Sequence, residues 1–326
     1  MTGAAGFVGV NVTRALGLRG HRVVAFDHRG PDDAARSFAG EAVWLSGDVR
    51  DREPLEAACR AHGIETVVHA AAVTATTPGW EHDRARDVLA VNVLGTVAAL
   101  EAAHAADVRR VVVVSSTSVL GPGCRDGQPI PEDAPAAPAD LYGISKLALE
   151  LVARRLGALC GLEVAAVRLA QPYGPMERPS PDRAALSPVA DWMAAAAAGR
   201  PLTTPSLEIA KDWTYVEDTA AGFVCLVEAE ARLRHAVYNL GRGTTVTVRE
   251  VLDAIAEAWP GTQVRVTPNT VHNPNLDPTR IRGPLEVVRL REELGFRPRF
   301  DIRSGIAGYA AWLRESGSVP SRRGPS

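Results

Sequence analysis

Two side chains that could move a proton stand four residues apart in the stretch 140–150, which contains Tyr142 and Lys146. If the stretch is helical, that spacing places both side chains on one face, about one turn apart. A phenol has a pKa of about 10, too high for acid–base catalysis near neutral pH. An ammonium group one turn away would favour the phenolate and lower that pKa. The pair therefore predicts a proton-transfer site, although Tyr-x-x-x-Lys also occurs on exposed polar helix faces.

A second motif, at the start of the chain, has the spacing of a phosphate-binding turn. Gly3, Gly6 and Gly9 form Gly-x-x-Gly-x-x-Gly and lead into an amphipathic segment, Val10–Leu18. Glycines let the backbone approach a pyrophosphate, and the N-terminus of a following helix offers free N–H groups and a positive dipole end. Such turns can also serve packing alone, so the glycines by themselves do not identify a cofactor site.

A carboxylate stands beyond the glycines at the distance that dinucleotide-binding chains use. The segment Arg22–Asp27 has a buried-strand pattern and ends about 20 residues past the glycines. Asp27 could accept hydrogen bonds from an adenosine ribose, and it would repel a 2′-phosphate, which favours NAD. His28 and Arg29 come directly after it, and a nearby cation could instead hold the phosphate of NADP.

The elements that would position these groups alternate between strand and helix. Strand patterns occur at 42–45, 66–69, 111–114 and 163–168, and helical patterns at 53–62, 83–105 and around Tyr142. The segment Val111–Val114 is apolar throughout, as expected for a strand that is covered on both faces. Repeated strand–helix units predict an α/β fold with a doubly wound parallel sheet.

The second half of the chain breaks this rhythm, because residues 171–210 contain seven prolines. Further helices are predicted at 189–198, 218–231, 248–259 and 285–294, and short strands at 237–241 and 263–267. We expect a dinucleotide-binding domain over 1–170 with returning segments at about 211–242, a substrate-binding region over 171–210 and 243–315, and a disordered tail over 316–326.

Composition argues against several classes of protein. The 326 residues are 46% apolar, enough for a sizeable core, and a net charge of −2 without a long basic run gives no indication of nucleic-acid binding. No apolar run reaches the roughly 18 residues that span a membrane, and no signal peptide is recognised. The cysteines are scattered and read as reduced thiols rather than a disulfide frame or a zinc site: Cys59, Cys124, Cys160 and Cys225. We expect a cytoplasmic protein without a metal, nucleic-acid or membrane partner.

Taken in order, these motifs resemble those of the extended short-chain dehydrogenase/reductases, the NAD-dependent epimerase/dehydratase group. The matching segments are Thr2–Gly9, Gly47–Asp51, Val68–Ala72, Val91–Thr96, Ser115–Gly121, Tyr142–Lys146, Tyr173–Pro175, Lys211–Asp218 and Tyr238–Gly241. The resemblance covers the chain from Thr2 to about Leu313. It implies a Rossmann fold with a smaller C-terminal α/β substrate region, a bound NAD or NADP, and chemistry on a sugar-like substrate.

The roles of the family carry over to single positions. Tyr142 would be the general acid/base, Lys146 its electrostatic partner and a ligand of the nicotinamide ribose, and Ser116 the hydroxyl that binds the reacting oxygen. The pyrophosphate, ribose and adenine contacts and the strand end under the cofactor would come from Gly3, Gly6, Phe7, Val8, Asp27, His28, Arg29, Asp48, Val49, Ala70, Ala71 and Ala72. The substrate would face Thr74, Thr117, Gln171 and Lys211. Asn92 would brace the strand ends rather than take part in chemistry.

The chain departs from the family pattern after the predicted catalytic serine. Thr117 and Ser118 stand where dehydratases and sugar-acid decarboxylases of the group carry a carboxylate. Leu120 replaces the tyrosine that usually precedes Gly121. The pattern therefore offers no acid there to eliminate water or to guide decarboxylation.

Further departures concern the residues that hold phosphates in the sugar-nucleotide enzymes of the group. Gln171 replaces an asparagine and Lys211 replaces an arginine. The late arginine that clamps the diphosphate has two candidates, Arg280 and Arg282.

Three functions remain open from the sequence. The first is an NAD(P)-dependent oxidoreductase or epimerase acting on a secondary alcohol of a sugar or nucleotide sugar, with Tyr142 removing the hydroxyl proton while hydride passes to nicotinamide. The second is a dehydrogenase or ketone reductase for a non-nucleotide small molecule of a biosynthetic pathway, which Gln171 and Lys211 favour. The third is a catalytically silent NAD-binding regulator. The resemblance also implies a homodimer formed through helices 83–105 and 142–158.

One expected element is missing, because the glycine motif should follow a strand and here it begins at the first residues. In the family that strand lies in the middle of the sheet and often ends in valine just before Thr-Gly. We therefore expect that the first β-strand is absent from this sequence and that the native start lies upstream, with a valine codon read as Met1. The alternative is a protein made as written.

Overall fold

A computed structural model of the chain describes residues 1–74, 77–122, 127–183, 185–268, 270, 273–277 and 281–317. Its strands are β1 (Val23–Asp27), β2 (Ala42–Ser46), β3 (Thr66–His69), β4 (Arg110–Ser116), β5 (Glu163–Leu169), β6 (Gln171–Tyr173), β7 (Leu202–Thr204), β8 (Ala210–Lys211), β9 (Trp213–Tyr215), β10 (Val237–Leu240), β11 (Val246–Thr247) and β12 (Val264–Val266).

The helices are α1 (Phe7–Leu18), α2 (Asp33–Ala39), α3 (Arg52–His62), α4 (Pro78–Asp83), α5 (Ala85–Leu89), α6 (Gly95–Ala105), α7 (Leu141–Cys160), α8 (Pro188–Ala197), α9 (Val216–Glu228), α10 (Val248–Ala258), α11 (Val288–Leu294) and α12 (Ile302–Ser316). A π turn at Ala90–Leu94 joins α5 to α6, and 3-10 turns lie at Thr117–Leu120 and Pro274–Leu276.

A parallel sheet organises the first half of the chain: β2 pairs with β1, and β3, β4, β5 and β10 follow in that order, with Thr2 forming parallel bridges to both β1 and β3. Met1 and Thr2 lie between β1 and β3: the N–H of Phe26 donates to the Met1 carbonyl at 2.8 Å, and the N–H of Thr2 donates to the Val68 carbonyl at 3.0 Å. These two residues therefore occupy the place in the sheet where the sequence predicts a first strand. The expectation of an upstream strand stays a prediction.

Helices cover both faces of this sheet, and β4 shows why. Val112 and Val114 pack with the buried residues of α1 and α9, while Val111 and Val113 pack with those of α6 and α7. Because successive side chains of a strand point to opposite faces, an all-valine run needs a cover on each side. The fold class predicted from the sequence, a doubly wound α/β sheet, is confirmed.

A second core lies in the later part of the chain. Its buried side chains come from β6, α8, β9, α10 and α12 and include Tyr173, Trp192, Trp213, Tyr215 and Tyr309. The strand β6 pairs in parallel with β9, and this pairing places Gln171 opposite Trp213. The predicted division of the chain into a dinucleotide-binding domain and a substrate region stays a prediction.

Three helices were not predicted from the sequence: α2, α4 and α12. In α12 the cause is visible, because Gly305 and Gly308 weaken the helical signal of the sequence. A Cβ on Gly305 would lie 2.2 Å from the Tyr173 hydroxyl oxygen, and one on Gly308 would lie 3.0 Å from that of Tyr215. These glycines let α12 pack closely on two tyrosines. Because the same glycines have low helix propensity, the sequence pattern does not predict this helix.

The stretch Ala85–Ala105, which includes α5, the π turn and α6, is long and apolar enough to cross a membrane by length and composition. The expectation that no such stretch exists is therefore wrong, since a mean hydropathy of 1.5 persists across the isolated polar residues Asn92 and Thr96. Both of these residues are fully buried and hydrogen-bonded within the fold, which is the packing of a core helix.

Other expectations concern cysteines and residues outside the described ranges. Cys59, Cys160 and Cys225 are free thiols. Cys124, the candidate Arg280 and residues 318–326 of the predicted tail lie outside the described residues. Ser316, where the tail was expected to begin, is the last residue of α12.

A buried guanidinium joins the start of the sheet to the end of α9. Arg110 is fully buried; its Nε donates to Glu163 Oε1 at 3.0 Å, and its Nη1 donates to the carbonyl of Leu226 at 2.6 Å. Nη2 donates to the Ala231 carbonyl at 2.9 Å. The side chain therefore satisfies carbonyls at and beyond the helix end that would otherwise be buried without a partner.

We expect Arg110→Met to destabilise the protein by about 3–5 kcal/mol, since it leaves the Glu163 carboxylate buried without its cation. Arg109→Met is the matched control, because Arg109 is exposed and makes one 3.3 Å bond to the Ala229 carbonyl. Urea unfolding of both variants measures the difference. Equal, small losses in the two variants would contradict the assignment.

Candidate active site

The carboxyl ends of the sheet strands open into a cavity of about 680 Å³. Every residue that the sequence predicted for catalysis, cofactor or substrate lines this one cavity: Gly3, Gly6, Phe7, Val8, Asp27, His28, Arg29, Asp48, Val49, Ala70, Ala71, Ala72, Thr74, Ser116, Thr117, Tyr142, Lys146, Gln171 and Lys211. Strand ends of a parallel sheet are where ligands of such folds bind. The individual roles of these residues stay predictions.

Tyr142 lies in the first turn of α7, which begins where Asp140 accepts a hydrogen bond from the N–H of Gly143 at 2.7 Å. The side chains of Ser116, at the end of β4, and Thr74 lie close enough to the phenol for each to lower its pKa. Ser116 is itself fixed, because its Oγ accepts from the N–H of Ser118 at 3.1 Å. A substrate hydroxyl that reached Tyr142 would therefore meet two oriented hydroxyl groups.

Lys146 lies one turn further along α7, and its side chain is buried. Its Nζ donates to the Val114 carbonyl at 2.7 Å and lies 5.6 Å from the centre of the Tyr142 ring. Burial lowers the pKa of this amine to about 7, against the opposing charge of Glu150. The predicted juxtaposition of Tyr142 and Lys146 on one helix face is thus present.

The predicted direction of the Tyr142 pKa is wrong for this structure. Burial raises the pKa of the phenol, and this effect exceeds the lowering due to the Ser116 hydrogen bond and the positive charge of Arg183. Because desolvation disfavours the charge on Lys146 as well, the lysine cannot supply the full stabilisation of the phenolate that its spacing suggests.

A buried ion pair anchors the middle of α7, one turn after Lys146. Arg168 donates to both oxygens of Glu150, at 2.9 and 2.8 Å, and the Ser115 hydroxyl donates to Glu150 Oε1 at 2.5 Å. Ser115 is therefore a satisfied strand-end hydroxyl. The network joins β4, β5 and α7 at the level of the catalytic candidates.

Asn92 braces the strand ends, as its sequence position suggested. Its Oδ1 accepts from the N–H of Val73 at 2.8 Å, and its Nδ2 donates to the Val73 carbonyl at 3.1 Å and to Ser145 Oγ at 2.9 Å. The π turn places this amide between the segment after β3 and α7. Asn92 thereby positions the residue next to Lys146.

The glycine motif forms a tight turn against the segment after β3. Gly3 has φ +64°, and a Cβ there would lie 2.6 Å from the Ala71 nitrogen; a Cβ on Gly9 would lie 2.0 Å from the Gly3 oxygen. Only glycine fits either position. The first turn of α1 lines the cavity and has no side-chain cap from Gly6, and such an uncapped helix N-terminus fits a pyrophosphate.

Asp27 lies at the end of β1 and is buried, with its carboxylate at the cavity wall. Oδ2 accepts from the N–H of Ala5 at 3.0 Å and Oδ1 from the N–H of Arg29 at 3.0 Å. Each carboxylate oxygen can accept a further hydrogen bond, so the group can still bind ribose hydroxyls. Together with the glycine turn, Asp27 fits a dinucleotide cofactor.

The opposite end of the cavity carries cations held in place by carbonyls. Lys211 Nζ donates to the Asn275 carbonyl at 2.6 Å, and Arg282 Nε donates to the Gly121 carbonyl at 2.7 Å. Arg282, one of the two candidates for the late arginine, lines the cavity together with Gln171. This end suits an anionic part of a ligand.

Part of the cavity wall was not predicted from the sequence, namely Arg178, Asp182, Arg183 and Asn275. Arg183 pairs with the buried Glu177 at 2.5 Å and lies 5.3 Å from the centre of the Phe7 ring. In the sequence, Arg178, Asp182 and Arg183 lie in the charged, proline-rich stretch 177–183. This stretch has no helix or strand periodicity from which a site could be predicted. Three large apolar side chains, Trp80, Met176 and Trp192, lie outside the cavity lining and pack in hydrophobic clusters.

Comparison with known proteins identifies the family of this chain. Residues 1–241 match the model of the NAD dependent epimerase/dehydratase family. The UDP-glucose 4-epimerase of Mycolicibacterium smegmatis is 30% identical over 96% of this chain and 97% of its own length. The dTDP-glucose 4,6-dehydratase of Streptomyces antibioticus is 30% identical over 97% of this chain and 92% of its own.

A solved structure, MoeE5 in complex with UDP-glucuronic acid and NAD, superposes with a TM-score of 0.80 at 30% identity, covering 97% of this chain and 98% of that one. The cofactor of the family is NAD, and the cavity has the turn and the carboxylate to hold it. Because the family match extends over more than half of the sequence and these similarities extend over nearly all of it, the chain belongs to the NAD dependent epimerase/dehydratase family.

Proposed function

We propose that this enzyme is an NAD-dependent epimerase that inverts a secondary alcohol of a nucleoside-diphosphate sugar. The observation that carries the proposal is the Tyr142 hydroxyl, which meets Ser116 and Thr74 in a cavity with a dinucleotide-binding turn at one end and fixed cations at the other. NAD, when bound, accepts a hydride from the sugar carbon and can return it.

The residues of this chain would handle the proton and the oxygen. Tyr142 takes the proton of the sugar hydroxyl during oxidation and returns it during reduction, and Ser116 donates a hydrogen bond to the oxygen that becomes a carbonyl. Lys146, fixed by the Val114 carbonyl, holds a positive charge or a hydrogen-bond donor beside the phenol. Return of the hydride to the other face of the carbonyl would give the epimer.

Dehydration is disfavoured because the two residues after Ser116 are not acids, and because Asp140, whose charge acts on Tyr142, caps α7 by accepting from the N–H of Gly143 at 2.7 Å. Thr117 and Ser118 come after the catalytic serine in a 3-10 turn. Asp212 also lines the cavity, but it accepts hydrogen bonds from the backbone N–H groups of Leu285, Arg242 and Gly243. An acid held in this way is poorly placed to protonate a leaving hydroxyl.

A second candidate function is the oxidation or reduction of a non-nucleotide alcohol or ketone. It is favoured by Gln171 and Lys211, which replace phosphate-binding residues of the family, and by the hydrogen bond that engages Lys211 with Asn275. The relatives with nucleotide-sugar names make this the weaker candidate.

Incubation with UDP-glucose, UDP-glucuronic acid, dTDP-glucose and the free sugars, followed by chromatography, tests the proposal. We expect a new isomer of a nucleotide sugar with no net NADH. Accumulation of NADH with a free sugar or a simple alcohol would instead establish the second candidate.

Tyr142→Phe should lower kcat on the order of a hundred-fold or more while leaving NAD affinity close to wild type, because it removes the proton carrier and keeps the ring. Tyr309→Phe is the matched control, since the buried Tyr309 hydroxyl has no hydrogen-bond partner among the described residues and lies in the second core. A Tyr142→Phe variant that turns over at the wild-type rate would rule out this role.

Burial of Lys146 makes the stability of the folded protein depend on pH, because it lowers the pKa of this amine. Its pKa is about 7 in the folded protein and about 10.4 when unfolded. Between these values only the unfolded chain keeps the proton, so the contribution of Lys146 to stability rises with pH across this window. Lys146→Met should therefore stabilise the cofactor-free protein more at pH 7 than at pH 10, by on the order of 2–4 kcal/mol. Denaturant titrations at both pH values measure the gain, and a gain independent of pH would contradict the prediction.

We also propose that two copies associate through the helices α5–α6 and α7. Apolar side chains stand exposed on these adjacent helices and on the π turn between α5 and α6: Leu89, Leu94, Ile144 and Leu151. Leu94→Glu with Leu151→Glu should convert a dimer to a monomer in analytical ultracentrifugation, because charges would be buried in the interface. Leu18→Glu, an equally polar change at an exposed residue of α1, should leave the dimer intact. A monomeric wild-type protein would refute the proposal.

A further inference from the structure

The segment after β6 crosses the end of the cavity that Asp27 lines. Arg178, Ser180 and Asp182 of this segment face the cavity together with His28 and Arg29. The segment is tied to the other wall, since the N–H of Thr74 donates to the Asp182 carbonyl at 2.7 Å and Arg84 Nη1 donates to the Pro181 carbonyl. Its backbone position is therefore fixed on the cofactor side.

Asp182 places one carboxylate among three basic side chains. Its Oδ2 lies 3.4 Å from Arg29 Nη2 and 3.4 Å from His28 Nε2, and its Oδ1 lies 3.4 Å from Arg84 Nη2. The Asp182 side chain is only 19% exposed, so these contacts are partly shielded from water. Arg29 and His28 thus lie within ion-pair distance of a carboxylate from a distant part of the sequence, although Asp182 Oδ2 accepts no hydrogen bond from the described residues.

Asp27 engages the same two residues from the other side. Its Oδ1 lies 3.2 Å from His28 Nδ1 and accepts from the N–H of Arg29. The His28 ring therefore stands between two carboxylates, whereas the Arg29 guanidinium has its ion-pair contact with Asp182 and gives only its backbone N–H to Asp27. A phosphate beside Asp27 would have to displace Asp182 from Arg29 and would then lie near an unpaired like charge.

We propose that Asp182 is a specificity-determining residue for the cofactor: its carboxylate neutralises the Arg29 guanidinium and so excludes NADP. Asp27 supplies the ribose contact. Asp182 pairs with the Arg29 guanidinium, which would otherwise be available to bind a 2′-phosphate. The preference for NAD then depends on a residue about 150 positions after Arg29. This inference rests on NAD as the cofactor and on Asp27 at its ribose, and it is independent of the sugar substrate.

The test is calorimetric titration of the nucleotide-free protein with NAD and NADP. The wild type should bind NAD more tightly. Asp182→Asn, which keeps the shape and removes the charge, should narrow the NAD/NADP affinity ratio by about tenfold, chiefly through tighter NADP binding. If both affinities fall together and the ratio is unchanged, Asp182 serves only to anchor the segment, and the proposal is overturned.

Two further variants identify the group that Asp182 controls. The double variant Asp182→Asn with Arg29→Gln should lose most of the gained NADP affinity, whereas Arg29→Gln alone should change the ratio less than about twofold, because its charge is already neutralised. A large loss of NADP binding in Arg29→Gln alone would show that Arg29 is already available, and it would overturn the proposal without relying on the folding of any Asp182 variant.

Asp83→Asn is the matched control for charge, since Asp83 is 75% exposed and lies outside the cavity wall. It makes the same change in net charge, and the ratio should stay at the wild-type value. A shift equal to that of Asp182→Asn would mean that overall charge sets the preference, which would also overturn the proposal.

Discussion

The geometry of the active site depends on the burial of one ammonium group. Lys146 is almost wholly removed from water and is held by the Val114 carbonyl at 2.7 Å. A buried amine needs such an acceptor, so α7 can lie only where the lysine reaches β4. Tyr142, one turn earlier, then meets Ser116, which lies two residues beyond Val114 on the same strand. The position of Tyr142, which we propose as the proton carrier, is set by the place where a lysine can be buried.

Two buried carboxylates around the cavity are likewise held by hydrogen-bonding partners, in their case including an arginine. Glu150 is bound by Arg168 and Ser115, and Glu177 is bound by Arg183 and by the Ser187 hydroxyl at 2.6 Å. Such pairs add little net stability compared with apolar residues, because desolvation offsets their attraction. Their geometry is nevertheless restrictive. They fix α7 to β5 and the segment 174–187 to itself, and these are the elements that bound the cavity.

The sequence was sufficient where the signal is local. Helical spacing brought Tyr142 and Lys146 together, the glycine spacing located the turn, and the strand–helix rhythm predicted the sheet. It was insufficient where distant residues meet: Asp182 and Arg183 carry no periodic signal, and the glycines that let α12 pack on Tyr173 also conceal that helix. The direction of the Tyr142 pKa was missed for a similar reason, since desolvation depends on neighbours that the sequence does not reveal.

The π turn at Ala90–Leu94 has a consequence for the length of its helix. In a regular α-helix, residues five apart point in directions about 140° apart, whereas a π turn closes i to i+5. Leu89 and Leu94 are both exposed, while Asn92 between them is fully buried against Val73 and Ser145. The extra residue of the π turn lets Leu89 and Leu94 both point outward while Asn92 points into the fold. A one-residue insertion or deletion here would displace either the apolar outer side chains or the amide that braces α7.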